Sequence, residues 1–154
     1  MAVKSAREPR RDRLSRDTYL MVELVSRRLM AEVDQACRPD GLSEAQYAVL
    51  WVVCLADDPA GIVQGAISDG LLTRAADVSR IVGRLEEAGL VVRRRDSVDG
   101  RVLRVQPTAR GREVFLDTTA RVKALHRRQF HGLDDDELRT LTALLNRVFW
   151  GAEG

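Results

Sequence analysis

Long apolar runs are missing from this chain of 154 residues. Nowhere do about 18 apolar residues follow one another, the length a membrane-spanning helix needs. The basic stretch 1–17 leads into no apolar segment with a small-residue cleavage site, so no secretory signal is expected and a cytoplasmic location is. Cysteine is scarce: Cys37 and Cys54 are too few for a disulfide framework, and their spacing fits no zinc motif. The two histidines, His126 and His131, are five apart and so not stacked on one helix face, and no clustered carboxylates accompany them. No metal and no cofactor are therefore expected. Lysine is nearly absent, 2 residues against 23 arginines. Arginine suits bidentate phosphate contacts, but codon bias in a GC-rich genome is the simpler explanation and comes first. A surplus of one charge is lacking as well: 25 basic and 23 acidic residues leave +2. This excludes a polybasic tail and an acidic solvating protein, but a sum says nothing about where the charges sit.

What is present suffices for one packed domain. Hydrophobic residues make up 45% of the chain, and the length suits a single unit. Residues 1–13, with Lys4, Arg7, Arg10, Arg11 and Arg13, read as a basic solvated arm, followed by one domain over 14–154. From Leu14 to about Ala36, Val22, Val25, Leu29 and Val33 recur at helical steps, and Leu20, Met21, Leu24 and Met30 widen the stripe. So broad a face exceeds what one small core needs, which calls for a partner helix. Ser43 and Gln46 form a capping box for a helix expected to bury Tyr47, Leu50, Trp51, Cys54 and Leu55. A short helix follows one or two extended residues at Ile62, and Thr73 opens a helix running to Ala88 with Val78, Ile81, Val82 and Leu85 inside. Two β-rich runs, 90–94 and 102–105, flank a turn-rich tip and predict a hairpin. Thr108 caps a long helix to about Phe130; Asp134 and Glu137 cap the last, with Leu138, Leu141, Leu145, Val148 and Phe149 on its apolar face.

Helix, helix, hairpin is the order of a winged helix-turn-helix, in which the second helix enters the DNA major groove. The fold class expected is mainly α with a small β-hairpin wing. The outer face of the 73–88 helix carries Arg74, Ala76, Asp77, Arg80 and Arg84. Arginine bonds guanine bidentately, aspartate accepts from cytosine N4, and alanine touches a thymine methyl. Taken alone, arginines four apart fit a solvated helix face better, since that spacing is common. The hairpin tips that balance. Residues 91–112 hold +5, with Arg93, Arg94, Arg95 and Arg101 among the seven arginines; residues 1–16 hold +4, which leaves −7 elsewhere. A basic hairpin beside a basic helix face is the electrostatic footprint of a DNA-binding protein.

The stretches Asp77-Val78-Ser79-Arg80, Arg84-Leu85-Glu86-Glu87-Ala88-Gly89-Leu90-Val91, Asp96-Ser97-Val98-Asp99-Gly100-Arg101 and Pro107-Thr108-Ala109-Arg110-Gly111 succeed one another without gaps. Together they resemble the DNA-binding core of the MarR family of transcription regulators, and the flanking helices fit in order and length. The resemblance implies a homodimer, with dimerisation helices at about 14–36 and 108–150 around a DNA-binding lobe at about 43–106. It implies a pseudo-palindromic double-stranded operator and, most simply, repression. It assigns Arg101 to the minor groove and Asp99 to orienting it. Asp77 departs from the family, which places Thr, Ser or Asn there; the carboxylate either selects cytosine or is held by Arg74, Arg80 or Arg84. Gly65 and Ala66 stand at positions that are usually polar. The family's small aromatic or phenolic effectors would meet Tyr19, Met21, Tyr47 and Trp51 here, although aromatics and methionine at helical spacing are more often core.

No nucleophile–base pair, metal cluster or phosphate loop is present, so an enzyme is not expected. Two alternatives remain: a thiol-based redox regulator using Cys37 or Cys54, and a winged-helix interaction module without an operator.

Overall fold

The broad apolar stripe of the first segment forms helix α1, Arg10–Cys37. In the computed structural model, which describes residues 9–56, 58–71 and 75–151 without the side chains of 75 and 76, α1 starts four residues before Leu14. Arg10, Arg11 and Arg13, placed in the arm by sequence, thus belong to its first turn, behind Pro9. The rest of the expected arm, with Lys4 and Arg7, lies outside the described residues, as do the Thr73 cap and Arg74. A 3-10 turn, Arg38–Asp40, leads to α2, Glu44–Leu55. There the capping box forms as expected: Ser43 Oγ accepts from the Gln46 N–H, and Gln46 Oε1 from the Ser43 N–H.

The buried face of α2 differs in part from expectation: Leu50 is buried and Tyr47 and Cys54 pack against the core as expected. Val49, Leu50 and Val53 are buried, whereas Trp51 is 46% exposed and Leu55 52%. Tyr47 to Leu55 are nine apolar residues in a row, so no period marks an inner side and packing alone chooses it.

Strand β1 (Ile62–Val63) runs directly into α3 (Gln64–Leu71), and α4 (Ala75–Glu87) follows. Val78, Val82 and Leu85 are fully buried, at the spacing expected of the inner face. Each contributes roughly 1.5–3 kcal/mol by leaving water. Gly89, with φ +70°, ends the helix in the left-handed conformation that glycine adopts without a Cβ clash. Strands β2 (Val91–Arg95) and β3 (Leu103–Pro107) form the antiparallel hairpin. Sequence reading found the hairpin but not its third strand: β1 pairs with β3, giving the order β1-β3-β2.

Thr108 caps α5 (Ala109–Gln129) by accepting from the Gly111 N–H, while its own hydroxyl donates to the Gly89 carbonyl. This end of α5 lies so close to β2 that a Cβ on Gly111 would sit 1.9 Å from the Leu90 carbonyl oxygen. Phe115, Thr118, Val122 and Leu125 turn one α5 face into the core, where α1 and α2 meet it. Asp40 joins these layers, ion-paired to Arg121 and accepting from the Thr118 hydroxyl. The Asp134–Glu137 box starts α6, Asp135–Trp150, which has no buried residue. Leu141, Leu144, Leu145, Val148 and Phe149 on α6 are exposed, as are Leu20, Met21, Leu24 and Met30 on α1. No helix among the described residues is long and apolar enough to cross a membrane.

Candidate nucleic-acid interface

With its apolar face buried, α4 turns Asp77, Arg80 and Arg84 outward. Arg80 and Arg84 are exposed and Asp77 is half-buried. The Asp77 carboxylate pairs with Arg80, one of the three arginines expected to hold it, at 3.5 Å, one turn on. An exposed pair of this kind contributes only about 0–1 kcal/mol, so an approaching phosphate or base can displace it cheaply. Arg84 has no ion-pair partner among the described residues. The backbone of Ala76 lies in the first turn of α4, while its side chain and Arg74 fall outside what is described.

The wing tip is organised by two aspartates. Asp96 Oδ1 accepts from the Val98 and Asp99 N–H groups, at 2.9 and 3.0 Å. Asp99 Oδ1 accepts from the Arg101 N–H at 2.9 Å. Asp99 therefore holds Arg101 through its backbone, and the exposed guanidinium makes no ion pair among the described residues. Exposed Arg94 is likewise unpaired, and Arg95 donates to the Gly100 carbonyl at 2.7 Å.

Two arginines counted into the basic footprint face inward instead. Arg93 meets Glu86 of α4 through its N–H, Nε and Nη2, at 2.9, 2.8 and 2.7 Å. The Arg93 N–H, and then its guanidinium, hold Glu86 below the usual carboxylate range. Arg104 pairs with Asp96, and with Asp58 at 2.7 Å. Both enter the +5 counted over residues 91–112, a sum that does not show their partners. A partial signal exists for Arg104 alone: it faces Arg94 across the hairpin, and like charges directly opposite are destabilising, although this does not name its partners. Arg93 faces Val105 and carries no such signal.

The four expected effector residues are not brought together. Tyr47 and Trp51 line a recess of about 390 Å³ with Val33, Glu44, Leu71 and His126, among others. Tyr47 stacks on Phe115 with centroids 6.5 Å apart and shares a hydrogen bond with Thr119 Oγ1 at 3.2 Å. Tyr19 and Met21 are not among the lining residues and stand exposed on α1, at 65% and 58%. Burial pushes the thiols of Cys37 and Cys54 up to about 11, so little reactive thiolate exists at neutral pH. Among the described residues no group of three or more His, Cys, Asp or Glu side chains could hold a metal ion.

A two-helix unit with an arginine-bearing second helix, joined to a three-stranded winged sheet, defines a winged helix-turn-helix protein. The model of the MarR family matches residues 40–102. A MarR-family transcriptional regulator from Rhodococcus sp. RHA1 is 30% identical, with a TM-score of 0.77 over 88% of this chain and 94% of that one. CouR from Rhodococcus jostii RHA1, bound to p-coumaroyl-CoA, is 29% identical, with a TM-score of 0.78 over 92% and 97%. A mutant MarR from E. coli complexed with operator DNA is 25% identical, with a TM-score of 0.77 over 83% and 90%. No curated protein sequence matches. The chain belongs to the MarR family and has the fold of its transcription regulators.

Proposed function

We propose that this protein is a homodimeric, sequence-specific DNA-binding regulator, acting as a repressor. Carrying the proposal are arginines with no ion pair among the described residues, at the two places a winged helix presents to DNA: Arg84 on α4, and Arg94 and Arg101 on the wing. Arg80 and Asp77 join them on α4, with Arg74 and Ala76 expected on the same face. In this reading α4 lies in the major groove, Arg101 reaches the adjacent minor groove, and Arg94 and Arg95 lie against the backbone. The E. coli MarR bound to operator DNA, of like fold, supports it.

The dimer follows from exposed apolar surface. A single chain leaves Leu141, Leu145, Val148 and Phe149 of α6 in water together with a stripe of α1, and patches of that kind mark protein interfaces. A small aromatic or phenolic effector acting at Tyr47 and Trp51 would touch Leu71, at the end of α3, and so bear on α4. CouR with p-coumaroyl-CoA is the relative that supports ligand control. Release requires that the effector bind one dimer state more tightly than the other. The raised cysteine thiols weigh against thiol sensing in its place.

Selection of bound sequences from a random duplex pool tests this reading. An enriched pseudo-palindrome is expected, with half-sites about one helical turn apart. A pool without enrichment would leave the interaction module as the better account, and a single unrepeated half-site would remove the dimer.

A further inference from the structure

β2 is tied to α4 by Arg93 and Glu86, and on its other side the wing joins the helix-turn-helix by a very short ladder. β1 meets β3 only through Ile62↔Val105 and Val63↔Arg104. Beyond Arg104 towards the tip the sheet is two-stranded, and an isolated pair of strands is marginal in water. Arg104 thus stands where a supported sheet becomes a projecting wing.

Its guanidinium bonds in two directions. Nε donates to Asp96 Oδ2, while Nη1 donates to Asp58 Oδ2 at 2.7 Å and to the Gly61 carbonyl at 2.8 Å. The other oxygen of Asp96 holds the tip through the Val98 and Asp99 N–H groups. One side chain therefore links the turn that carries Arg101 to the loop entering β1 and α3. The Arg104 and Asp96 side chains are only 23% and 13% exposed, so water and salt screen this part of the link weakly. A planar fork of fixed donors reaches partners on two sides at once in a set geometry, whereas an ammonium's three donors radiate from one atom on a flexible stem.

We propose that Arg104 is a positioning residue for the wing, tying the Asp96–Arg101 turn to the Asp58–Gly61 loop so that Arg101 meets DNA in register with α4. This rests on the DNA-binding reading. Arg104 itself touches no DNA in this arrangement. It orders the wing beforehand, which spares the ordering cost that a loose hairpin would bear on binding.

Two measurements test it. Amide hydrogen exchange of the free protein reads wing order without DNA: in Arg104→Ala, exchange at Asp96, Val98, Asp99 and Arg101 is expected to quicken while Val82 and Leu85 stay protected. A double-mutant cycle reads the consequence. Arg101→Ala is expected to weaken operator binding about tenfold or more in the wild-type background. In the Arg104→Ala background it should change binding by less than about twofold, because the two residues act as one unit. Should Arg104→Ala not fold, Asp58→Asn weakens the loop side while leaving the Gly61 carbonyl bond, and the Arg101 effect in that background is expected to shrink, though by less. Unchanged wing exchange, or an Arg101 effect equal in both backgrounds, overturns the proposal. If the wild-type protein binds no duplex in a salt-dependent way, the DNA reading fails instead, and wing exchange alone then decides whether Arg104 orders the hairpin.

Discussion

Arg101 and Arg104 sit on the same hairpin in opposite surroundings, one exposed and unpaired, the other held by two carboxylates and a carbonyl. Composition weighs them equally. Pairing separates them, because a charge already satisfied inside the fold adds little to the attraction that reaches a phosphate. Asp96 is where this can be measured. The Asp99 N–H, the Arg104 guanidinium and the Val98 N–H bring its carboxyl down to about 2. Following the carboxyl by NMR through an acid titration should therefore give a midpoint near pH 2; one near 4 would mean the network does not form in solution. Since the folded value lies below the unfolded one, the stabilisation is complete above about pH 4 and is lost as pH falls towards 2. The sequence made Asp99 and Arg101 visible through a family motif. It could not show that Asp99 grips the backbone of Arg101 instead of its guanidinium, because that depends on how the tip folds. Nor could it show that Arg93 and Arg104 are engaged, since Glu86 and Asp58 approach them only through tertiary structure.

Among the elements, those with chemical punctuation were read well. Ser43 with Gln46, Thr108, and Asp134 with Glu137 each start a helix where a local hydrogen bond satisfies its free N–H groups. Gly89 ends one for an equally local reason. On α2 the sequence predicts Leu50, Tyr47 and Cys54 correctly but not the exposure of Trp51 and Leu55, because its apolar residues run without a period. The extended residues at Ile62 carry no alternation that would mark their pairing with β3. Gly111 shows a constraint that no local rule contains. Its need for a bare Cα comes from the backbone of Leu90, the residue just before β2, which lies against the α5 N-terminus. Gly111→Ala should push α5 off β2 and lower stability by roughly 1–3 kcal/mol, read as a lower urea midpoint. An unchanged midpoint would show that the helix shifts freely there, and that α5 does not fix the base of the wing.

For the molecule as a whole, what matters is how charge and apolar surface are distributed. A net +2 resolves into basic segments at the arm and hairpin and a surplus of −7 elsewhere. The structure narrows the hairpin's share to the arginines that keep no ion pair. The exposed apolar residues concentrate on α1 and α6, flanking the helix-turn-helix and the wing in sequence. A dimer joined through those helices would present two basic lobes to one duplex. The sequence supplied this division through charge counts and family likeness; which individual arginines remain free is a property of the fold.

The salt dependence of binding to the selected operator and to a random duplex of equal length tests the central claim most directly. Two lobes making about six or more phosphate contacts should lose on the order of 10³-fold in operator affinity between roughly 50 and 200 mM salt. Random DNA should bind far more weakly with a slope of the same sign. Operator binding that ignores salt, or equal affinity for both duplexes, would contradict a DNA reader built on Arg80, Arg84, Arg94 and Arg101.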